Sequence, residues 1–424
     1  MSDFNISMMF FLQLAAVLTA CWCVGRAARW LGQPEVVGHM IAGVLLGPSL
    51  LGQLWPDGYA WLFPRPSRTV TYTFAQVGLA AYMFIVGMEF RLDLLRERRR
   101  AAAAISLAGV VTPFALGAAL AWHLYERGDL FGQAVQPLEA MLFLGAALSI
   151  TAFPMLARII SERGLAGSSV GTLLLAAGAI DDALAWCVLA LVLSIMRGDV
   201  TLVLTATVGA AIYATVVLAG LRPMLARWLK PTGQPGPWGV SPNAFLGVMI
   251  LLALGAYTTD AIGIYAVFGA FIMGVAVPRG PVAEGLIRMM LPCASVIMLP
   301  FFFVNSGLNT RITLINTWSL WGVTALVIAA ATAGKFIACA VAARCTGSTP
   351  RDSVAIGAMM NARGLMELII LNIGLEAGVI TPVMFSVGVL MAIITTVTAV
   401  PVFDRFWSGH DRTGLELRHN THRA

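Results

Sequence analysis

Runs of about twenty apolar residues recur along the whole of this 424-residue chain, and they leave few folds open. A hydrocarbon core about 30 Å thick takes about 20 helical residues to cross. Nothing in that core hydrogen-bonds an exposed main-chain group, so each run must satisfy its own as a helix. The composition agrees, with 59% hydrophobic and only 11% charged residues, against roughly 25% charged in a soluble protein. The sequence therefore predicts an all-α polytopic membrane protein, 1–424 forming a single membrane unit with no room for a sizeable soluble regulatory domain. The net charge of +6 is spread in ones and twos between apolar runs. That pattern points to a lipid bilayer as partner and not to nucleic acid.

Breaks bearing charge, Pro or Gly divide the chain into thirteen spans: 8–30, 36–53, 70–90, 101–125, 138–160, 168–196, 200–221, 243–259, 261–278, 289–309, 317–343, 352–375 and 379–403. The pair flanking Thr258-Thr259-Asp260 is the shortest, yet one unbroken helix over 243–278 would be nearly twice the needed length. Charge parity supports the count. Most Lys and Arg fall in odd-numbered loops and the C-terminal tail, while even-numbered loops hold Arg65, Arg68, Arg127, Arg197 and Arg311. Basic loops stay in the cytoplasm. The N-terminus is thus expected outside and the C-terminus inside. The opening MSDFNIS lacks Lys and Arg, and the run behind it has no clear small-x-small cleavage site, which argues against a removable signal peptide. Cys21, Cys23, Cys187, Cys293, Cys339 and Cys345 lie in or beside apolar runs without metal-ligand spacing and read as small packing residues.

With span 7 set apart, two six-helix halves of opposite orientation remain, and span 5 corresponds to span 12. Both carry helix-disturbing residues near the middle: Ser149, Thr151 and Pro154 in one, Asn361, Arg363 and Gly364 in the other. Paired interruptions in inverted repeats are a recurring architecture of secondary transporters.

Ionisable groups at mid-membrane are costly and mark functional sites by default. Asp181 and Asp182 are adjacent at the centre of span 6, and Lys335 is the one lysine within a span. Successive helical residues point about 100° apart, so the two aspartates address different partners. A salt bridge from Lys335 to one of them compensates two buried charges. The other is left to bind a proton or a small cation, never both at once. Carboxylate, hydroxyl and main-chain oxygens suit Na⁺ or K⁺ and would not hold a soft metal. Arg363 and Glu367, one turn apart, are expected to pair. Glu89 and Asp260 stand at helix ends, as cavity mouths or interfacial anchors. His39 and His123 read as packing or interfacial residues.

At these positions the sequence resembles the second family of monovalent cation:proton antiporters, which includes bacterial Na⁺/H⁺ and K⁺/H⁺ exchangers and plant cation/proton exchangers. The resemblance runs through Pro34-Glu35-Val36-Val37-Gly38, Gly43-Val44-Leu45-Leu46-Gly47-Pro48, Gly87-Met88-Glu89, Thr151-Ala152-Phe153-Pro154, Ala179-Ile180-Asp181-Asp182, Gly269-Ala270-Phe271-Ile272-Met273-Gly274, Gly334-Lys335 and Asn361-Ala362-Arg363-Gly364-Leu365-Met366-Glu367-Leu368. It implies a sodium/proton antiporter fold with two crossed discontinuous helices. A core domain, including 101–196 and 317–407, would move against a dimerisation domain in a homodimer of the cytoplasmic membrane. By motif, Asp182 matches the cation and proton site and Asp181 the partner of Lys335, with Thr151 and Ser149 beside them and Asn361, Arg363 and Glu367 in support. The aspartate pair with lysine implies electrogenic exchange, and Asp181, where potassium-efflux members commonly have Gln, implies Na⁺ over K⁺. An electroneutral or K⁺-selective exchanger is the alternative reading. No cofactor is implied. The short tail after Trp407 holds no nucleotide-binding domain, which leaves room for a separate regulatory subunit.

Three other classes fit less well. An intramembrane aspartyl protease places its aspartates on different helices, one in a Gly-x-Gly-Asp setting that is absent here. A channel needs no titrating carboxylate at mid-depth. An organic-anion symporter of similar fold would not be expected to keep Asp181, Asp182 and Lys335 together. The chain reads as a transporter and not an enzyme.

Overall fold

The computed structural model describes residues 3–89, 99–151, 153–163, 165, 168–196, 200–229, 239–262 and 266–407, and within them the side chains of Asp182 and Cys187 lie outside the described residues. So do the basic residues of 90–98, Lys230 and the tail after Trp407. The regular structure of the described residues is helical, and their only bridge pairing joins Phe131 to Ile380.

Each expected span contains helix among its described residues. In chain order the helices used below are α1 (Asp3–Trp30), α2 (Glu35–Leu46), α3 (Arg65–Glu89), α4 (Arg99–Leu124), α5 (Pro137–Ser149), α6 (Phe153–Glu162), α7 (Ser169–Met196), α8 (Val200–Thr215), α9 (Pro242–Ala261), α10 (Ala266–Ala276), α11 (Pro281–Pro292), α12 (Leu299–Asn309), α13 (Trp318–Thr332), α14 (Ala338–Cys345), α15 (Pro350–Met360), α16 (Leu365–Glu376) and α17 (Pro382–Phe406). Among the described residues, nine helices are long and apolar enough to cross a bilayer. Among the described residues, the expected span 261–278 holds the 11 residues of α10, about 16 Å of rise.

The starts of the helices are written locally. Ser241-Pro242, Thr349-Pro350 and Thr381-Pro382 each place a hydroxyl at the cap and a proline in the first turn, and the hydroxyls accept from the main-chain N–H of Ala244, Asp352 and Met384. Capping satisfies an orphan donor, and proline there sacrifices no helical hydrogen bond. Helix α5 opens with Pro137 and a reciprocal cap in which Glu139 accepts from Gln136 N–H at 2.8 Å.

Packing sorts the helices into two sets. Helices α1, α2, α3, α9, α10 and α12 pack on one another, and α4, α5, α7, α14, α15 and α17 do the same. In the first set α3 lies against α10 so closely that a Cβ on Gly87 or Gly274 would strike the opposite backbone. Small residues allow that approach where lipid supplies no hydrophobic drive between helices. Hydrogen bonds tie the sets together: Gln33 Nε2 donates to Val397 O at 3.1 Å, Arg163 Nη2 to Gly32 O at 3.1 Å, and Arg311 N–H to Ser386 Oγ at 2.9 Å. Of the cysteines, Cys21 and Cys339 are buried. Cys23, Cys293 and Cys345 are exposed, so packing inside the protein does not account for those three.

Candidate functional site

Helix α5 stops at Ser149, where Ile150 turns to an extended backbone (φ −77°, ψ 138°), and α6 resumes at Phe153. Pro154 is the second residue of α6, a first-turn position that accommodates proline. The interruption therefore falls earlier than the proline suggests, at Ile150 and Thr151. Ending a helix at mid-depth frees its last carbonyls, which carry a partial negative charge.

Four consecutive carbonyls are taken up by two cationic side chains. Arg363 Nη1 donates to Ala147 O at 3.0 Å and Ile150 O at 3.5 Å, Arg363 Nη2 donates to Leu148 O at 2.5 Å, and Lys335 Nζ donates to Ser149 O. Arg363 comes from the second interruption, Asn361 to Gly364, between α15 and α16. The two broken helices thus meet at their breaks, one supplying the charge that the other lacks.

The second break is held from two sides. Thr396 Oγ1 of α17 accepts from Arg363 N–H at 2.9 Å. Glu367, in the first turn of α16, accepts from Arg363 Nη1 at 2.7 Å, and both side chains are 1% exposed. A carboxylate there also meets the positive end of α16. Among the described residues, Asn361 Oδ1, Arg363 Nε and Glu367 Oε1 are buried without a hydrogen-bond partner, so part of this polar cluster remains unsaturated.

Beside the first break lies Asp181, fully buried on α7. Its Oδ1 accepts from Ser106 Oγ of α4 at 2.5 Å, and its Oδ2 accepts from Thr151 Oγ1 and from Lys335 Nζ at 2.8 Å. Lys335 is itself fully buried and sits in a π-turn, Ala333–Ile337, between α13 and α14. Such turns occur often at functional sites. Gly109 of α4 makes room for it: a Cβ there would stand 2.6 Å from Cys339 Sγ and within 3.9 Å of Lys335 Nζ. Gly109→Ala is therefore expected to overpack this wall and lower unfolding stability by about 1–3 kcal/mol, read as a lower melting temperature in detergent.

The structure thus brings together Asp181, Thr151, Lys335 and the Ser149 carbonyl, and next to them Arg363, Glu367 and Asn361. The Ser149 hydroxyl is spent on its own helix, donating to Ala146 O at 2.9 Å, so only its carbonyl belongs to the cluster. Glu89 and Asp260 are exposed at the ends of α3 and α9 and do not join it. His123 is exposed, and His39 is buried against Phe303 in the other helix set. The Asp182 side chain lies outside the described residues.

Two contributors escaped the sequence reading. Ser106 and Thr396 are hydroxyl residues in apolar helices, where most such groups bond back to their own helix, as Thr324 does to Leu320 O at 2.8 Å. Their distance along the chain from the sites they serve hides them. Removing one hydrogen bond to a charged group costs about 1.5–3 kcal/mol. Ser106→Ala is expected to lower stability by that amount, measured by denaturant unfolding, with a smaller loss when Asp181 is already Asn.

Comparison with known proteins bears on the same fold. A Na(+)/H(+) antiporter of Synechocystis sp., NhaS4, is 38% identical over 403 residues, which cover 94% of this chain and 97% of that one. Cation/H(+) antiporter 15 of Arabidopsis thaliana is 34% identical over 404 residues, 94% of this chain but 48% of the plant protein, so this chain spans about half the plant protein's length. Among solved structures, the sodium proton antiporter MjNhaP1 from Methanocaldococcus jannaschii matches with a TM-score of 0.64 over 95% of this chain and 98% of that one, at 16% identity, which is a likeness of fold. Residues 14–406 match the family described as sodium/hydrogen exchanger, transmembrane. With that match over nearly the whole chain, this multi-pass membrane protein belongs to the transmembrane sodium/hydrogen exchanger family.

Proposed function

We propose that the chain is a secondary active antiporter that exchanges protons for Na⁺, electrogenically, by alternating access around Asp182. The observation that carries this reading is the fate of Asp181. Its two carboxylate oxygens already receive a lysine and two hydroxyls. A carboxylate so occupied is poorly placed to release and rebind ions in every cycle. The exchange then falls to the adjacent Asp182, which a proton or a cation neutralises in turn. Family membership and the names of the relatives, Na(+)/H(+) antiporter among them, support the same substrates.

The remaining parts follow from that role. The set containing α4 to α7 and α13 to α17, residues 101–196 and 317–407, forms the moving core, and the set around α3, α10 and α12 forms the dimerisation domain of a homodimer. The chain crosses the cytoplasmic membrane thirteen times, with its N-terminus outside and its C-terminus inside. Thr151, Lys335 and the Arg363–Glu367 pair hold the two breaks in place. Asn361 lies at the same level, and Glu89 and Asp260 lie at the mouths.

Proton efflux from energised vesicles, challenged in turn with Na⁺, K⁺ and Li⁺, tests the substrate. Na⁺ is expected to collapse the proton gradient at lower concentration than K⁺, with a transmembrane current. A response to K⁺ alone, or exchange that generates no current, would replace this reading with the K⁺-selective or electroneutral one.

A further inference from the structure

The surface of the first helix set bears a half-open cavity of about 370 Å³ that the exchange site does not use, bounded by α1, α2 and the π-turn Cys293–Met298 that links α11 to α12. Its size falls within the range of about 300–1,000 Å³ typical of small-ligand sites. Its lining is graded. Leu18, Trp22, Val296 and Pro300 form the apolar walls, with the hydroxyls of Thr19 and Ser295 between them, the latter donating to Leu291 O of its own helix, and Glu35 and His39, one turn apart on α2, form the charged and aromatic-polar end.

The gradient has a direction. Glu35 opens α2, and Arg29, in the last turn of α1, stands 3.8 Å from its carboxylate. Leu18 lies eleven residues back along α1, about 16 Å deeper. The polar end is therefore at the helix ends, where lipid headgroups lie, and the apolar end reaches toward the bilayer interior. Arg29 and Glu35 keep 53% and 28% of their side-chain surface exposed, so both charges face outward as well as each other. Gly25 on α1 creates the space: a Cβ there would stand 3.0 Å from Glu35 Cγ and 3.4 Å from the His39 ring.

The geometry points to a binding site for a phospholipid with a primary-amine headgroup, its phosphate on Arg29, its ammonium on Glu35 and one acyl chain along Leu18, Trp22, Val296 and Pro300. The side-by-side guanidinium and carboxylate match a phosphate and an ammonium carried on one headgroup. An anionic headgroup without an amine would set its charge against Glu35. A quaternary amine has no N–H to donate to that carboxylate. The exposed faces of Trp22 and Val296, 60% and 62%, supply the apolar contact.

The full-length protein in nanodiscs of phosphatidylcholine, doped with phosphatidylethanolamine or phosphatidylglycerol, tests the site by counting lipids retained on the protein in native mass spectrometry. Phosphatidylethanolamine is expected to be retained about tenfold over phosphatidylcholine, the preference worth one charged hydrogen bond. Glu35→Gln should erase that preference, and Val296→Trp should reduce retention of every headgroup by filling the apolar arm. If Glu35→Gln does not fold, Gly25→Ala crowds the same carboxylate and should lower the preference. The proposal is overturned if phosphatidylglycerol outcompetes phosphatidylethanolamine, if Glu35→Gln or its Gly25→Ala substitute keeps the preference, or if Val296→Trp leaves retention unchanged.

Discussion

Asp182→Asn is expected to reduce cation-dependent proton flux in proteoliposomes to that of protein-free vesicles, for every cation and at every pH tested. The amide keeps the size of the side chain and removes the one property on which exchange depends, a charge that proton and cation neutralise alternately. Because Asp181 stays in its network with Lys335, Ser106 and Thr151, the variant should melt within a few degrees of the wild type. Loss of flux with retained folding separates a transport role from a structural one. Flux that survives would remove Asp182 from the mechanism.

Lys335→Gln carries the second large effect, and a double variant relieves most of it. A buried ion pair is weak evidence for net stability, but removing one partner leaves an uncompensated buried charge at a cost of about 3–5 kcal/mol. Asp181 has no water to turn to, since neither partner is more than 1% exposed. The Ser149 carbonyl loses its donor in the same step. Lys335→Gln alone should therefore unfold at markedly lower denaturant. Asp181→Asn with Lys335→Gln should recover much of the loss, because two neutral amides replace two charges. A double variant whose losses simply add would mean that the two groups do not act as a unit. In transport, the single variant should also carry less charge per cycle, measured as a smaller current at equal ion flux.

Much of this site is legible in the amino-acid sequence because the membrane penalises polar residues. Asp181, Lys335, Arg363 and Glu367 stand out in apolar runs, and a buried charge must find a partner. The structure has Lys335 on Asp181 at 2.8 Å and Arg363 on Glu367 at 2.7 Å. Sequence did not indicate where Arg363 sends the rest of its guanidinium. The carbonyls of Ala147, Leu148 and Ile150 look like every other carbonyl until a neighbouring helix ends beside them. Nor did it single out Ser106, because one hydroxyl in an apolar helix usually bonds within its own turn. Hydrophobic runs fall on helix among the described residues of every expected span, yet they blurred the ends. Span 2 reads as continuous over 36–53, while α2 stops at Leu46 and a separate turn, Leu51–Leu54, follows. Apolar content measures preference for lipid, whereas a helix end is set by local hydrogen bonding.

Proton release on cation binding tests the central claim most directly. Purified protein in weakly buffered detergent, held at a pH where the site is part-protonated, should release protons into the medium when Na⁺ is added, in proportion to the sites filled. The release should vanish in Asp182→Asn and persist in Ser106→Ala. Na⁺ that binds without displacing protons, or that displaces them equally from the Asp182→Asn protein, would contradict the claim that one carboxylate serves both ions in turn.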